Sequence, residues 1–168
     1  MARYDFKVVY PDTPSISQKW NVPSGGVTTI KAGEPTKTVD AAAASPYLGT
    51  TAIMVDGDGT TAQRFTGIAK SDSTDTASAA GIVYLWLPLP GLMYSGKAKT
   101  ASTADTQAEV DALRGKRVVF DLTSTTWSID AAAADAVANT VVIVDGDYQT
   151  QTLYFAVSSS FLNFRISA

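Results

Sequence analysis

Paired carboxylates are the main chemistry this chain offers. Asp56 with Asp58 and Asp145 with Asp147 stand two residues apart, each within a Val-Asp-Gly-Asp phrase. Two carboxyl groups suffice for glycoside hydrolysis when one is held protonated. Turn geometry gives the simpler account, because Asp-Gly supplies the positive-φ residues that tight hairpins demand. Calcium is the other use of the motif. Asp56-Gly57-Asp58-Gly59 matches only the start of a calcium loop, and the glutamate expected further on is missing at Thr66–Ile68. A weakly held ion at either Asp pair stays open.

The rest of the catalytic repertoire is missing. The 168 residues contain no histidine and no cysteine, which removes Ser-His-Asp and Cys-His machinery, His- or Cys-ligated zinc and any disulfide framework. No phosphate-binding glycine loop or dinucleotide fingerprint occurs. The expectation is a non-enzyme with no cofactor and no resident metal. Trp20, Trp86 and Trp127 invite comparison with a sugar-stacking platform. Trp86 and Trp127 lie in alternating segments and read as core or interface. Trp20 sits where no local core is evident and reads as an aromatic interface anchor.

The elements around these residues are mostly strands. Tyr4, Phe6, Val8 and Tyr10 alternate with Arg3, Asp5 and Lys7, the period of a half-buried strand. Pro11, Pro14, Pro23 and Gly25-Gly26 then interrupt regular structure. Residues 1–29 therefore read as an extended N-terminal arm, long enough to reach a neighbouring subunit; a strand and loops wrapped over the same domain is the other reading. Residues 30–168 read as a compact β-rich domain. Hairpins are expected where Ile53–Val55 returns through Phe65 and Ile68, and where Val141–Val144 returns through Leu153–Val157. Further strands are expected at Tyr84–Leu89, Met93–Ala98, Val118–Leu122, Thr126–Ile129 and Phe161–Ile166. Thr106-Gln107-Ala108-Glu109 is a capping box that opens a helix with Val110 and Leu113 as its stripe and Gly115 past its end. Ala131–Ala138 is a second helix candidate on alanine propensity. Lys70–Ala80, with no large apolar side chain, reads as an exposed loop. The expected architecture is mainly β, a β-sandwich or squat β-barrel (β-tulip-like) with one or two short helices.

Composition narrows the partners. The net charge is −3, with 45% hydrophobic and 17% charged residues, and no basic stripe suited to nucleic acid is visible. The longest apolar run, Gly81 to Tyr94, is broken by Pro88 and Pro90 and falls short of the ~20 residues of a bilayer span. Residues 1–7 lack the apolar core of a secretory signal. A soluble protein is expected, contacting neither nucleic acid nor membrane. Up to Lys31 cations exceed anions by two, so the body carries the acidity; a mildly basic leader on an acidic body could dock on an acidic protein surface.

Several phrases, in order, resemble the decoration or cement proteins that tailed bacteriophages bind to the outside of their capsids. They are Lys31-Ala32-Gly33-Glu34-Pro35, Phe65-Thr66-Gly67-Ile68-Ala69 followed by a polar loop, an apolar strand ending in Pro90-Gly91, Gly115-Lys116-Arg117-Val118, and Asp121-Leu122-Thr123. The similarity runs from about Ile30 to Phe164. It implies a β-rich protein on the outer capsid surface of the virion, made in the host cytoplasm, bridging capsomers of the major capsid protein. It also implies self-association, with a trimer favoured over a dimer. Strand addition by the arm would then place Tyr4, Phe6, Val8, Tyr10 and Trp20 at the capsid contact. A receptor- or carbohydrate-binding β-module of a fibre or tail, using Trp127 and Lys70–Ala80, is the alternative.

Overall fold

Short alternating segments separated by proline and glycine build two antiparallel sheets. The structure, a computed structural model, describes residues 6–10, 17–23, 30–38, 51–53, 65–89, 91–137 and 139–158. One sheet contains β1 (Lys7–Tyr10), β7 (Met93–Lys97), β8 (Arg117–Thr123), β9 (Thr126–Asp130), β10 (Val141–Asp147) and β11 (Thr152–Val157), in the order β1-β7-β11-β10-β8-β9. The other contains β2 (Ser17–Val22), β3 (Pro35–Thr38), β4 (Thr51–Ile53), β5 (Phe65–Ala69) and β6 (Gly81–Trp86), in the order β2-β6-β5-β3-β4. The mainly-β, two-sheet architecture expected from the sequence is the one observed.

Both sheets curl. Just past β7, Ala98 bridges Ile129 of β9, and the Lys99 N–H donates to the Ile129 carbonyl at 2.8 Å. The last strand of the six-stranded sheet thus returns to the edge of β7 that β1 covers further along. In the other sheet the two outer strands, β2 and β4, approach each other.

The main core lies between the sheets. Phe6, Phe120 and Phe155 form a triangle of rings with centroids 4.9, 5.4 and 5.6 Å apart, and Phe65 of β5 joins it 5.8 Å from Phe120. The buried Trp127, Ile129, Val141, Ile143 and Leu153 surround the rings. A bulge makes β5 the strand common to both cores. Thr36 faces Gly67 while Lys37 faces Phe65, leaving Thr66 as the extra residue. Phe65 and Ile68, three apart, therefore both enter the main core. Ala69 turns to the other side, where Val22, Ile30, Val83 and Leu85 form a second cluster.

The leader departs from expectation. In its described part it is not an arm but supplies a strand to each sheet, β1 beside β7 and β2 beside β6. Phe6 is only 1% exposed. It lies over Gly96, where a Cβ would come within 2.4 Å of the ring. The two strands run for four and six residues. Residues 24–29, where the boundary at residue 29 falls, lie outside the described residues.

Three local expectations also change. Gly146 is not the hairpin turn. It pairs with Leu153 inside the ladder, and the chain reverses at residues 148–151, where Gln151 takes φ 50°. A Cβ at Gly146 would stand 3.0 Å from the Thr152 carbonyl and from Leu153, and 3.3 Å from Val110, so the site is tight on every side. The Ile53 and Phe65 strands are not hairpin neighbours, since β3 pairs with both. Of the helix candidate Ala131–Ala138, residues 131–137 are described and form turns and no helix; Asn139 donates to the Ala134 carbonyl at 2.7 Å and the Arg117 carbonyl at 2.8 Å, holding the segment against β8. The other helix is as expected. It is α1 (Gln107–Leu113), with the Thr106–Glu109 capping box closed, Val110 and Leu113 buried, and Gly115 at φ 80° beyond it. Asp56–Gly59 and the strand expected at Phe161–Ile166 lie outside the described residues.

Phe6→Ala is expected to destabilise the protein by about 3–5 kcal/mol, the cost of emptying a large core site, in chemical denaturation followed by circular dichroism. A loss below about 1 kcal/mol would show that β1 is dispensable. Gly96→Ala should cost about 1–3 kcal/mol through overpacking. Combining it with Phe6→Leu should give less than the sum, because the two share one space; strict additivity would contradict the contact.

Candidate functional site

Each residue assigned a contact role has its own position in the fold. Tyr4 lies outside the described residues. Phe6 sits at the centre of the main core and has no surface to offer a partner. Val8 is half-buried against the same core, and Tyr10 ends β1 opposite Met93. Strand addition through Phe6 and Val8 is therefore corrected: the alternation is real, but that face meets the protein's own core. Trp20, opposite Val83 in β2, packs half-buried on the second cluster. A local core does exist beneath it, where Val22 and Ile30 meet Ala69, Val83 and Leu85 of the distant β5 and β6.

Trp127 is fully buried, with its indole N–H lacking an acceptor among the described residues. It cannot form a stacking platform. The polar loop is also only half as expected. Residues 76–80 are exposed, whereas Ser73 and Asp75 are buried. Hydrogen bonds anchor this loop in place of apolar side chains. The Ile30 N–H donates to Ser73 Oγ at 3.0 Å, Ser73 N–H to the Ile30 carbonyl at 2.8 Å, and the Ser73 hydroxyl to Asp75. Asp72 holds Lys31 at 2.9 Å and the Ala32 N–H at 3.0 Å.

The carboxylates are committed to structure. Asp145 Oδ1 accepts from Arg114 Nη2 at 2.8 Å and from the Gly146 N–H at 2.9 Å, tying the end of α1 to β10. Asp147 accepts from the Gln149 N–H at 3.0 Å and the Thr150 hydroxyl at 2.7 Å, and so organises the hairpin turn. Arg114 holds the Asp145 carboxyl below the usual range, and the Thr150 hydroxyl does the same for Asp147. Neither is the raised carboxylic acid that glycoside hydrolysis needs. Asp56 and Asp58 lie outside the described residues. Among the described residues no three His, Cys, Asp or Glu side chains converge as a metal site.

A cluster that the sequence analysis did not single out closes the six-stranded sheet. Lys99 Nζ meets Asp121 Oδ1 at 2.7 Å and Asp130 Oδ2 at 3.2 Å, while the Thr123 hydroxyl donates to Asp121 Oδ2 at 2.7 Å. Hydrogen bonding to Asp121, then to Asp130, pushes the lysine pKa up. The charge stays on, so this lysine is a latch between β7, β8 and β9 and not a nucleophile. Asp121 alternates out of phase with the core-facing Val118, Phe120 and Leu122, so the strand pattern gave no sign of this role.

The phrases that resemble decoration proteins fall on framework positions. Glu34 is buried in the turn before β3 and accepts the Lys31 N–H at 2.8 Å. Residues 65–69 are the doubly buried β5, Gly115 ends α1 with its N–H on the Ile143 carbonyl at 2.8 Å, and Asp121 belongs to the latch. No protein-family model matches the chain, and no curated protein matches it in sequence.

The ion pairs set an acid limit on stability. Asp145, Asp135 and Asp72 are held below their ordinary value of 3.8 chiefly by hydrogen bonds from Arg114, Arg117 and Lys31 respectively. A depressed folded pKa stabilises fully above the unfolded value and ceases to do so as pH falls through the folded one. The melting temperature should hold from pH 7 to 5 and drop below 3.8, with Asp145→Asn removing a small part of the drop, as expected for exposed pairs. A melting temperature unchanged down to pH 2 would contradict this account.

Proposed function

We propose that this chain is a structural decoration protein that binds the outer surface of a phage capsid and stabilises the shell by bridging copies of the major capsid protein. It acts as a homo-oligomer, with a trimer favoured, and carries out no reaction. The observation that carries this reading is the placement of the resembling phrases: in their shared order they supply a turn, the strand common to two cores, a helix end and an internal latch. A likeness in framework residues favours a shared scaffold, and the described carboxylates serve that scaffold too.

The physics of the role is linkage. A ligand that binds the assembled shell and not free subunits stabilises assembly by about 2.7 kcal/mol per site at a hundredfold excess over its Kd. Contacts to two capsomers act together, because the second becomes intramolecular once the first has formed. A rigid two-sheet body suits such a bridge, since strain between capsomers is transmitted through the clamp and not absorbed by its deformation.

Expanded shells prepared without this protein test the reading. Purified chain should cosediment with them to saturation at a fixed number per capsomer and raise the temperature at which they release packaged DNA. Shells that neither retain the protein nor gain thermal stability would overturn the proposal. Equilibrium sedimentation of the free protein should give an oligomer mass.

A further inference from the structure

Two register rows cross the six-stranded sheet on the side away from the main core. Lys7 of β1 stands opposite Ser95 of β7, Ser95 opposite Tyr154 of β11, and Tyr154 opposite Asp145 of β10. Beside this row Lys97, Thr152 and Asp147 form a second one. Paired residues share a face, and side chains alternate along each strand. The residues in between, Phe6, Tyr94, Leu153 and Phe155, are buried in the core, so both rows lie on the outer face. Each row begins with a lysine and ends with an aspartate. Strands lie about 4.8 Å apart, which separates the charges of the first row by about 14 Å.

The charged ends are accessible. Lys7 and Lys97 are exposed, and Lys97 Nζ rests on the Thr150 carbonyl and, at 3.0 Å, on the Thr152 hydroxyl. Asp145 receives Arg114 and the Gly146 N–H on Oδ1 alone, which leaves its Oδ2 open among the described residues. Between the ends Ser95, Tyr154 and Thr152 are half-buried and uncharged. Apolar side chains stand near both ends of the first row. Val9 and Val144, the extra residues of bulges in β1 and β10, are 44% and 41% exposed. An uncharged centre with apolar flanks and charged edges has the make-up of a protein contact.

We infer that this outer face is a self-association surface, and that its occupant is the same face of a second copy, related by a two-fold axis along the strands. The order of charges selects that occupant. Turned over about an axis between β7 and β11, the first row meets itself in reverse. Lys7 lies over the partner's Asp145, Ser95 over the partner's Tyr154, and Val9 comes near the partner's Val144. An axis across the strands would set lysine on lysine and is disfavoured by repulsion. Nucleic acid would meet the aspartates of β10 and be repelled there. An isologous contact closes at two copies, so the face builds a pair where the resemblance favours a trimer. The curl of the sheet confines the contact to these four strands, which is small for a protein interface, so the pair is weak and concentration dependent. This inference stands on the sheet and not on the capsid reading.

Sedimentation velocity of the purified chain over a concentration series tests it. Wild type should pass from monomer to dimer mass as concentration rises, and raising salt from about 50 to 300 mM should weaken the pairing. Lys7→Glu/Lys97→Glu and Asp145→Lys/Asp147→Lys should each weaken it at least tenfold, with melting curves verifying the fold. An equal mixture of the two should pair again, because each supplies the sign that the other lacks. Lys19→Glu/Lys70→Glu, on the other sheet, should change pairing less than twofold. Asp145 and Asp147 also brace α1 and the hairpin turn, so a second measurement leaves them in place. The chain has no cysteine, and Ser95→Cys, close to the axis, should be joined to its copy by a short bismaleimide, whereas Ala108→Cys on α1 should not. A wild type that stays monomeric, a trimer, pairing unmoved by the lysine reversal, folded variants that do not pair when mixed, or equal cross-linking at both positions overturns the inference. Each of those results leaves shell binding standing, and a dimer that shells ignore defeats the capsid proposal alone.

Discussion

Everything in this fold depends on aromatic packing between its two sheets. Phe6 arrives from the start of the chain, Phe120 and Phe155 from the six-stranded sheet and Phe65 from the other, and their rings meet at 4.9–5.8 Å. Each ring fully buried contributes about 1.5–3 kcal/mol from removal of apolar area. A sheet has two faces, and neither of these sheets could stay flat and apolar in water alone. Packing them on one shared cluster hides one face of each. It also explains why Gly96 has no side chain: a Cβ there would strike Phe6.

Polar interactions then finish what packing begins. A curled sheet exposes edges, and this protein closes one with a buried carboxylate, a lysine and a return bridge at Ala98 and Ile129. The same economy appears at the end of α1, where Arg114 joins Asp111 and Asp145, and in the loop after β5, where Ser73 and Asp75 take the place of an apolar anchor. With no histidine or cysteine in the chain, carboxylates are the principal candidates for chemistry near neutral pH. The described ones that looked catalytic by spacing are holding elements together.

Much of this was legible in the chain. Alternation marked β1, β7, β8 and β9 to within a few residues, because an element with one wet and one dry face must repeat every two positions. The capping box and Gly115 fixed α1 at both ends, since those signals satisfy local backbone groups and owe nothing to distant residues. Local reasoning failed wherever the deciding partner was remote. Asp145-Gly146 has the composition of a turn, yet Gly146 sits inside the ladder, closely packed by Thr152 and Leu153 of β11 and Val110 of α1. The alanine run had helix propensity but only a thin stripe to bury, and Lys116 and Asn139 captured carbonyl groups of Ala131 and Ala134 instead.

Composition and periodicity alone determined the class of the molecule: sheets, one capped helix, and no histidine or cysteine for catalysis. They could not determine which strands are neighbours, because β pairing is made between segments whose separation in the chain carries no local signature. That is why β1 and β2 read as an arm until β7 and β6 were seen beside them, and why Trp20 looked unsupported until Val83 appeared opposite. It is also why Lys19 and Tyr84, far apart in sequence, became neighbours only when β2 was laid beside β6. Side-chain period is a property of the chain; adjacency is a property of the fold.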